Sequence, residues 1–140
     1  MTNAFNAVSG GCLCGAVRFV VNGPVSAFHL CHCDRCRHST GSAFAANLFT
    51  VPEAITWEQG EDQIKRFELP TAKHWTRQFC VICGSGLPYV NRSGKFLVVP
   101  AGSLDGDPAV TPDDRIFWSE RPHWVDAVEE SPAFDRYPTR

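Results

Sequence analysis

The placement of its seven cysteines constrains this chain more than any other feature, because all seven fall in three short clusters. The first is Cys12-Leu13-Cys14-Gly15, the second Cys31-His32-Cys33-Asp34-Arg35-Cys36, and the third Cys80-Val81-Ile82-Cys83-Gly84. An odd number cannot all pair as disulfides. Met1 to Gly10 carries neither the basic nor the apolar stretch of a secretory leader, so the expected location is the cytoplasm, where thiols stay reduced. Clustered reduced thiols point to metal ligation. Two rivals are buried cysteines acting as small hydrophobes, which does not explain the clustering, and a redox Cys-x-x-Cys pair, which lacks a thioredoxin-like context.

Spacing suggests how the ligands divide. Cys80 and Cys83 suit a tight turn that brings both sulfurs to one tetrahedral ion at about 2.3 Å, with Gly84 relaxing the backbone just after. Cys12 and Cys14 differ by two residues, so in an extended segment both point to one face. Joined by the fold, the two pairs would make a closed four-sulfur site. The second cluster offers three sulfurs within six residues and leaves one coordination position open. Closed zinc sites are structural and open ones catalytic. The inferred assignment is Cys12, Cys14, Cys80 and Cys83 to a structural zinc, and Cys31, Cys33 and Cys36 to a catalytic zinc, two ions per chain. A mixed set such as Cys12, Cys14, Cys31 and Cys33 also fits the spacing, as does one four-cysteine zinc beside three unrelated thiols. Arg35, Arg37 and His38 flank the three-cysteine cluster and could offset its negative charge or steer an anionic thiol.

The 140 residues fit a single domain, and 44% hydrophobic with 20% charged residues is ordinary for a globular protein. A net charge of -2 argues against a non-specific nucleic-acid or anionic-membrane binder. No apolar run approaches the ~20 residues that span a bilayer. Ten Pro and eleven Gly mark frequent turns. Strands are expected at Ala16–Val21, Ala43–Thr50, Ile55–Glu58, Ile64–Leu69, Trp75–Phe79, Leu87–Asn91, Phe96–Val99, Ile116–Trp118 and His123–Val125. Short helices are expected at Asp34–Ser39 and Asp126–Phe134. This predicts antiparallel strands with long loops in one domain over residues 10–137, after a flexible N-terminus over residues 1–9 and before a poorly ordered Arg136–Arg140.

The run Gly10-Gly11-Cys12-x-Cys14-Gly15-Ala16-Val17-Arg18-Phe19 resembles the opening of the glutathione-dependent formaldehyde-activating family, also called the centromere protein V-like domain. So do Cys31-His32-Cys33-x-x-Cys36-Arg37, Gly41, Phe79-Cys80-x-x-Cys83-Gly84, Ala101-Gly102-Ser103-Leu104-Asp105, Pro122 and Trp124. The likeness runs from about Gly10 to Tyr137. It implies a mainly β, Mss4-like fold of several coiled antiparallel sheets stapled by zinc, and the same division into a structural and a labile, catalytic zinc. It further implies a carbon–sulfur lyase that reversibly adds the thiol of glutathione to formaldehyde, giving S-hydroxymethylglutathione. Arg115 stands where the family often has histidine, a departure that bears on the substrate.

The remaining candidates have plainer readings. His29 and His32 flank Cys31 and are expected to pack or hydrogen-bond rather than ligate. His38 is a candidate proton carrier, while His74 and His123 read as structural or surface residues. Asp105 is expected to hold a turn through a hydrogen bond from its side chain to the backbone. Trp118 and Trp124 are expected to pack, and Arg35 or Arg37 could grip a carboxylate. The function this supports is a zinc-dependent carbon–sulfur lyase acting on a small thiol such as glutathione, with no nucleic-acid or membrane partner. The rivals are a non-enzymatic zinc module and a thiol or zinc redox sensor.

Overall fold

The computed structural model describes residues 3–138. The expectations of disorder for Met1, Thr2, Thr139 and Arg140 lie outside the described residues. Eleven strands and one short α-helix succeed one another in the order β1 (Ala4–Gly11), β2 (Arg18–Pro24), β3 (Ala27–Cys31), α1 (Asp34–Thr40), β4 (Ala45–Thr50), β5 (Ile55–Gln59), β6 (Ile64–Glu68), β7 (Thr76–Cys80), β8 (Gly86–Leu87), β9 (Tyr89–Val90), β10 (Leu97–Pro100) and β11 (Asp114–Ile116). Single 3₁₀ turns punctuate the loops, and a longer 3₁₀ segment covers His123–Glu130. The expected mainly β, multi-sheet architecture is met. No described helix is long and apolar enough to cross a membrane.

The strands form three sheets, ordered β1-β2-β5, β11-β3-β4-β10-β9 and β6-β7-β8. Alternation drives this arrangement. In β2, Phe19 and Val21 are fully buried while Arg18 and Val20 are less so, the period-two signature of a half-covered strand. Phe5, Phe19, Leu48, Leu87, Leu97 and Val99 fill the main core between the sheets.

Several expectations are corrected. The segment expected to be flexible up to residue 9 is largely strand: Ala4–Gly11 pairs antiparallel with β2, and Phe5 is buried. A bulge between Phe5 and Val8, with Ala7 at φ 51°, breaks the alternation that would have revealed the strand. β3 was not foreseen. Leu87–Asn91 is not one strand, because Pro88 lacks the ladder N–H; β8 joins β7 while β9 joins β10. At the expected strand Ile116–Trp118, pairing instead spans Asp114–Ile116 and runs parallel to β3, the one parallel pair in the described sheets. It stops where Phe117 turns left-handed at φ 52°. The expected strand His123–Val125 and helix Asp126–Phe134 give way to the 3₁₀ segment His123–Glu130.

Candidate metal centre

The first and third clusters meet. Cys12 follows β1 directly, and the backbone closes tightly around it: Cys12 N–H donates to the Val17 carbonyl at 3.1 Å, and Val17 N–H donates to Cys12 Sγ at 3.3 Å. Gly11 is required there, since a Cβ would sit 2.5 Å from the Val17 carbonyl oxygen. On the other side, Cys80 ends β7 and Gly84, at φ 77°, donates its N–H to the Cys80 carbonyl at 2.7 Å. Ser85 bridges the two turns. Its Oγ accepts the Leu13 N–H at 3.0 Å, which leaves the hydroxyl hydrogen for Cys83 Sγ, 3.2 Å away.

The four sulfurs of Cys12, Cys14, Cys80 and Cys83 all lie within 4.8 Å of one another. Cys12 and Cys14 are 3.6 Å apart and Cys14 and Cys80 3.9 Å. A tetrahedral ion with sulfur ligands at ~2.3 Å sets its sulfurs ~3.8 Å apart, whereas a disulfide needs ~2.05 Å. All seven cysteines are free thiols, and this donor set fits a metal ion.

The second cluster spans the end of β3 and the start of α1. Cys31 is the last residue of β3, held between Ala45 of β4 and Ile116 of β11. Cys33 is the N-cap of α1 and its Sγ accepts the Cys36 N–H at 3.3 Å. Gly41, left-handed at φ 66°, closes the helix by donating to the Arg37 carbonyl at 2.9 Å. The three sulfurs again lie within 4.8 Å of one another. Among the described residues no further cysteine, histidine or carboxylate atom joins them at that spacing.

Electrostatics explains why such a cluster favours a cation. The hydrogen bond from Cys36, working against burial, draws the Cys31 thiol down to about 6. That same bond, burial and the Cys31 charge push Cys36 far above the ordinary thiol range. One sulfur ionises readily and its neighbour then resists, because like charges this close repel. A bound cation removes the conflict. In the four-cysteine cluster, Cys83 is drawn down to about 5, chiefly by the Ser85 hydroxyl.

The flanking histidines stand apart from the sulfurs. The His32 ring is buried between Phe44 and Trp118, with centroids at 5.2 and 5.0 Å, and its Nδ1 lies 3.1 Å from the Leu30 carbonyl. His29 pairs with Asp114 at 2.6 Å, and His38 lies exposed, 3.3 Å from Asp34. His74 and His123 are exposed. Arg37 pairs with Asp34 at 2.9 Å. Trp118 packs between the Arg115 and Arg121 guanidinium groups, at 4.4 and 4.2 Å from its ring centroid, and Trp124 is exposed. Asp105 departs from expectation: its carboxylate pairs with Arg18 across the strand ends rather than closing its own turn.

A cavity of about 550 Å³ connects the two clusters. Its lining includes Cys12 and Ser85 of the first cluster's surroundings, Cys36 of the second, and Arg77, Tyr89 and Asn47. Sequence reasoning missed Ser85, Arg77 and Tyr89. Ser85 could have been suspected from its place two residues after Cys83, but no local pattern marks Arg77 or Tyr89.

The sequence model described as "Glutathione-dependent formaldehyde-activating enzyme" matches residues 7–120 of this chain. A Halomonas elongata protein that bears this family's name provisionally is 29% identical, over 94% of this chain and 88% of its own length. A crystal structure of a Rhodobacter sphaeroides protein superposes with a TM-score of 0.60 at 22% identity, covering 76% of this chain and 98% of that one.

Proposed function

Since the chain belongs to the glutathione-dependent formaldehyde-activating enzyme family, we propose that it catalyses the reversible addition of the glutathione thiol to formaldehyde. In this reading Cys12, Cys14, Cys80 and Cys83 hold a structural zinc, and Cys31, Cys33 and Cys36 hold a catalytic one. Seven free thiols suit a reducing compartment, and the proposal places the chain in the cytoplasm. The observation that carries it is the three-sulfur cluster itself, with Cys36 in the wall of a cavity whose volume falls in the usual range for small-molecule sites.

A zinc ion at the three cysteines would supply Lewis-acid stabilisation of a thiolate near neutral pH. The protein's own groups do the rest. Cys31 at a strand end and Cys33 at a helix cap are fixed by backbone hydrogen bonding, so the donor set is organised before substrate arrives. In the reaction the sulfur–carbon bond forms, the carbonyl π bond breaks, and the thiol proton ends on the former aldehyde oxygen. Tyr89 would protonate that oxygen from its hydroxyl and take back the proton that the thiol releases. It lines the cavity with Cys36, and burial, followed by negative charge at Cys36 and Cys31, holds the phenol above its ordinary range and hence protonated.

Exchange NMR between glutathione and ¹³C-formaldehyde on the zinc-loaded protein tests this. The expected result is exchange well above the uncatalysed rate. Tyr89→Phe is expected to slow exchange on the order of a hundredfold while leaving glutathione affinity unchanged. Exchange at the background rate in the parent would reject the reaction.

A further inference from the structure

We propose that Arg77 is the carboxylate anchor of the cavity, and that it sets a preference for thiols carrying a carboxylate remote from the sulfur. The proposal rests on the thiol reading above and adds the residue that selects among thiols.

Arg77 is the one charged residue other than cysteine in the lining, which contains no Asp, Glu, Lys or His. It forms no ion pair among the described residues. Its two protein acceptors are neutral: Nη1 donates to the Ser39 carbonyl at 3.1 Å and Nη2 to the Gly84 carbonyl at 3.5 Å, while the guanidinium carbon lies 5.4 Å from the Phe79 ring centroid. Ser39 belongs to the helix that carries Cys36, and Gly84 follows Cys83. The guanidinium is therefore fixed between the two metal-binding segments, with most of its five N–H groups uncommitted.

A half-buried guanidinium without an acid partner is poised for an anion, and its planar fork matches a carboxylate in two-point contact. The glycine carboxylate of glutathione lies one residue beyond its cysteine, ~3.8 Å on between Cα atoms. A cavity of about 550 Å³ lets sulfur and carboxylate meet different walls. Arg35 is a poorer candidate, since it is absent from this lining, lines instead an adjoining groove that shares Ser39, Trp75 and Arg77, and is itself exposed.

The alternative role for Arg77 is a strap between Ser39 and Gly84, and the test separates the two. Calorimetric binding of S-methylglutathione and of its diethyl ester is measured on the zinc-loaded parent and on Arg77→Gln, which keeps N–H donors for the strap but carries no charge. The parent is expected to prefer the acid over the ester by about tenfold or more, and Arg77→Gln to lose that preference with its melting temperature close to the parent's. Arg77→Lys should keep part of the preference, and Arg35→Gln all of it. Equal binding of acid and ester by the parent, or an undiminished preference in Arg77→Gln, would overturn the assignment. Because the methylated sulfur cannot add to an aldehyde, retained acid preference with no formaldehyde exchange would sink the lyase reading alone.

Discussion

Ser85 illustrates how one uncharged side chain can set the properties of a candidate metal site. Its hydroxyl satisfies the Leu13 N–H of one turn and the Cys83 sulfur of the other, so both halves of the four-cysteine cluster depend on it. Replacing Ser85 with Ala should leave that N–H unpaired and the Cys83 thiolate less stabilised. Groups in this outer position are worth roughly 10–100-fold in metal affinity. Competition with a chromophoric chelator should show a loss of that size at the four-cysteine site and none at Cys31, Cys33 and Cys36. At this scale the two groups of candidate ligands were legible, because thiolate chemistry demands cysteine and short spacing. Ser85, Arg77 and Tyr89 were not. Arg77 reaches the cavity only because β7 pairs with both β6 and β8, and Tyr89 only because Pro88 sends β9 to another sheet. Asp105 likewise found its partner, Arg18, 87 positions away, where local turn rules have no reach.

Among the elements, the end of β1 is the tightest junction at the site. A Cβ on Gly11 would meet the Val17 carbonyl oxygen at 2.5 Å, and one on Gly10 would meet both the Phe19 ring and the Ser103 carbonyl oxygen at 2.5 Å. These are backbone or fully buried neighbours that cannot swing aside. Gly11→Ala is therefore expected to cost about 1–3 kcal/mol in chemical denaturation, the usual range for overpacking. It should also weaken metal retention by the four cysteines, since Cys12 is the next residue. Strands with alternation, such as β2 and β5, were visible in the sequence. The ones missed had physical disguises. β1 is bulged and poor in β-branched residues. β3 runs straight into the second cysteine cluster, whose motif dominates the local reading. The segment His123–Glu130 is a 3₁₀ helix with about three residues per turn, a period between those of strand and α-helix, so neither expectation over it matched.

Taken as a whole, the molecule has two apolar centres of unequal weight, and for the proposed two-zinc protein this predicts unequal consequences of losing each metal. Cys12 and Cys80 are part of the main core together with Phe5, Phe19 and Leu87, and Cys80 is fully buried. Cys31 and Cys36 belong instead to a small satellite with Ala45, against which Cys33 and Ile116 pack. Stripping an ion from the first centre leaves repelling thiols inside the region on which all three sheets depend. Doing so at the satellite disturbs a strand end and a two-turn helix. The parent is expected to hold close to two zinc ions per chain by elemental analysis. Cys36→Ser should hold about one, with its melting temperature within about 4 °C of the parent. Cys83→Ser removes a proposed ligand of the cluster in the main core and should lose 10 °C or more, or fail to remain soluble. A graded chelator titration followed by circular dichroism should remove the first ion without a spectral change and the second together with the β signal. If Cys36→Ser unfolds while Cys83→Ser stays intact, the structural and catalytic roles proposed for the two clusters are exchanged, because burial in the main core would then not be what ties metal to fold.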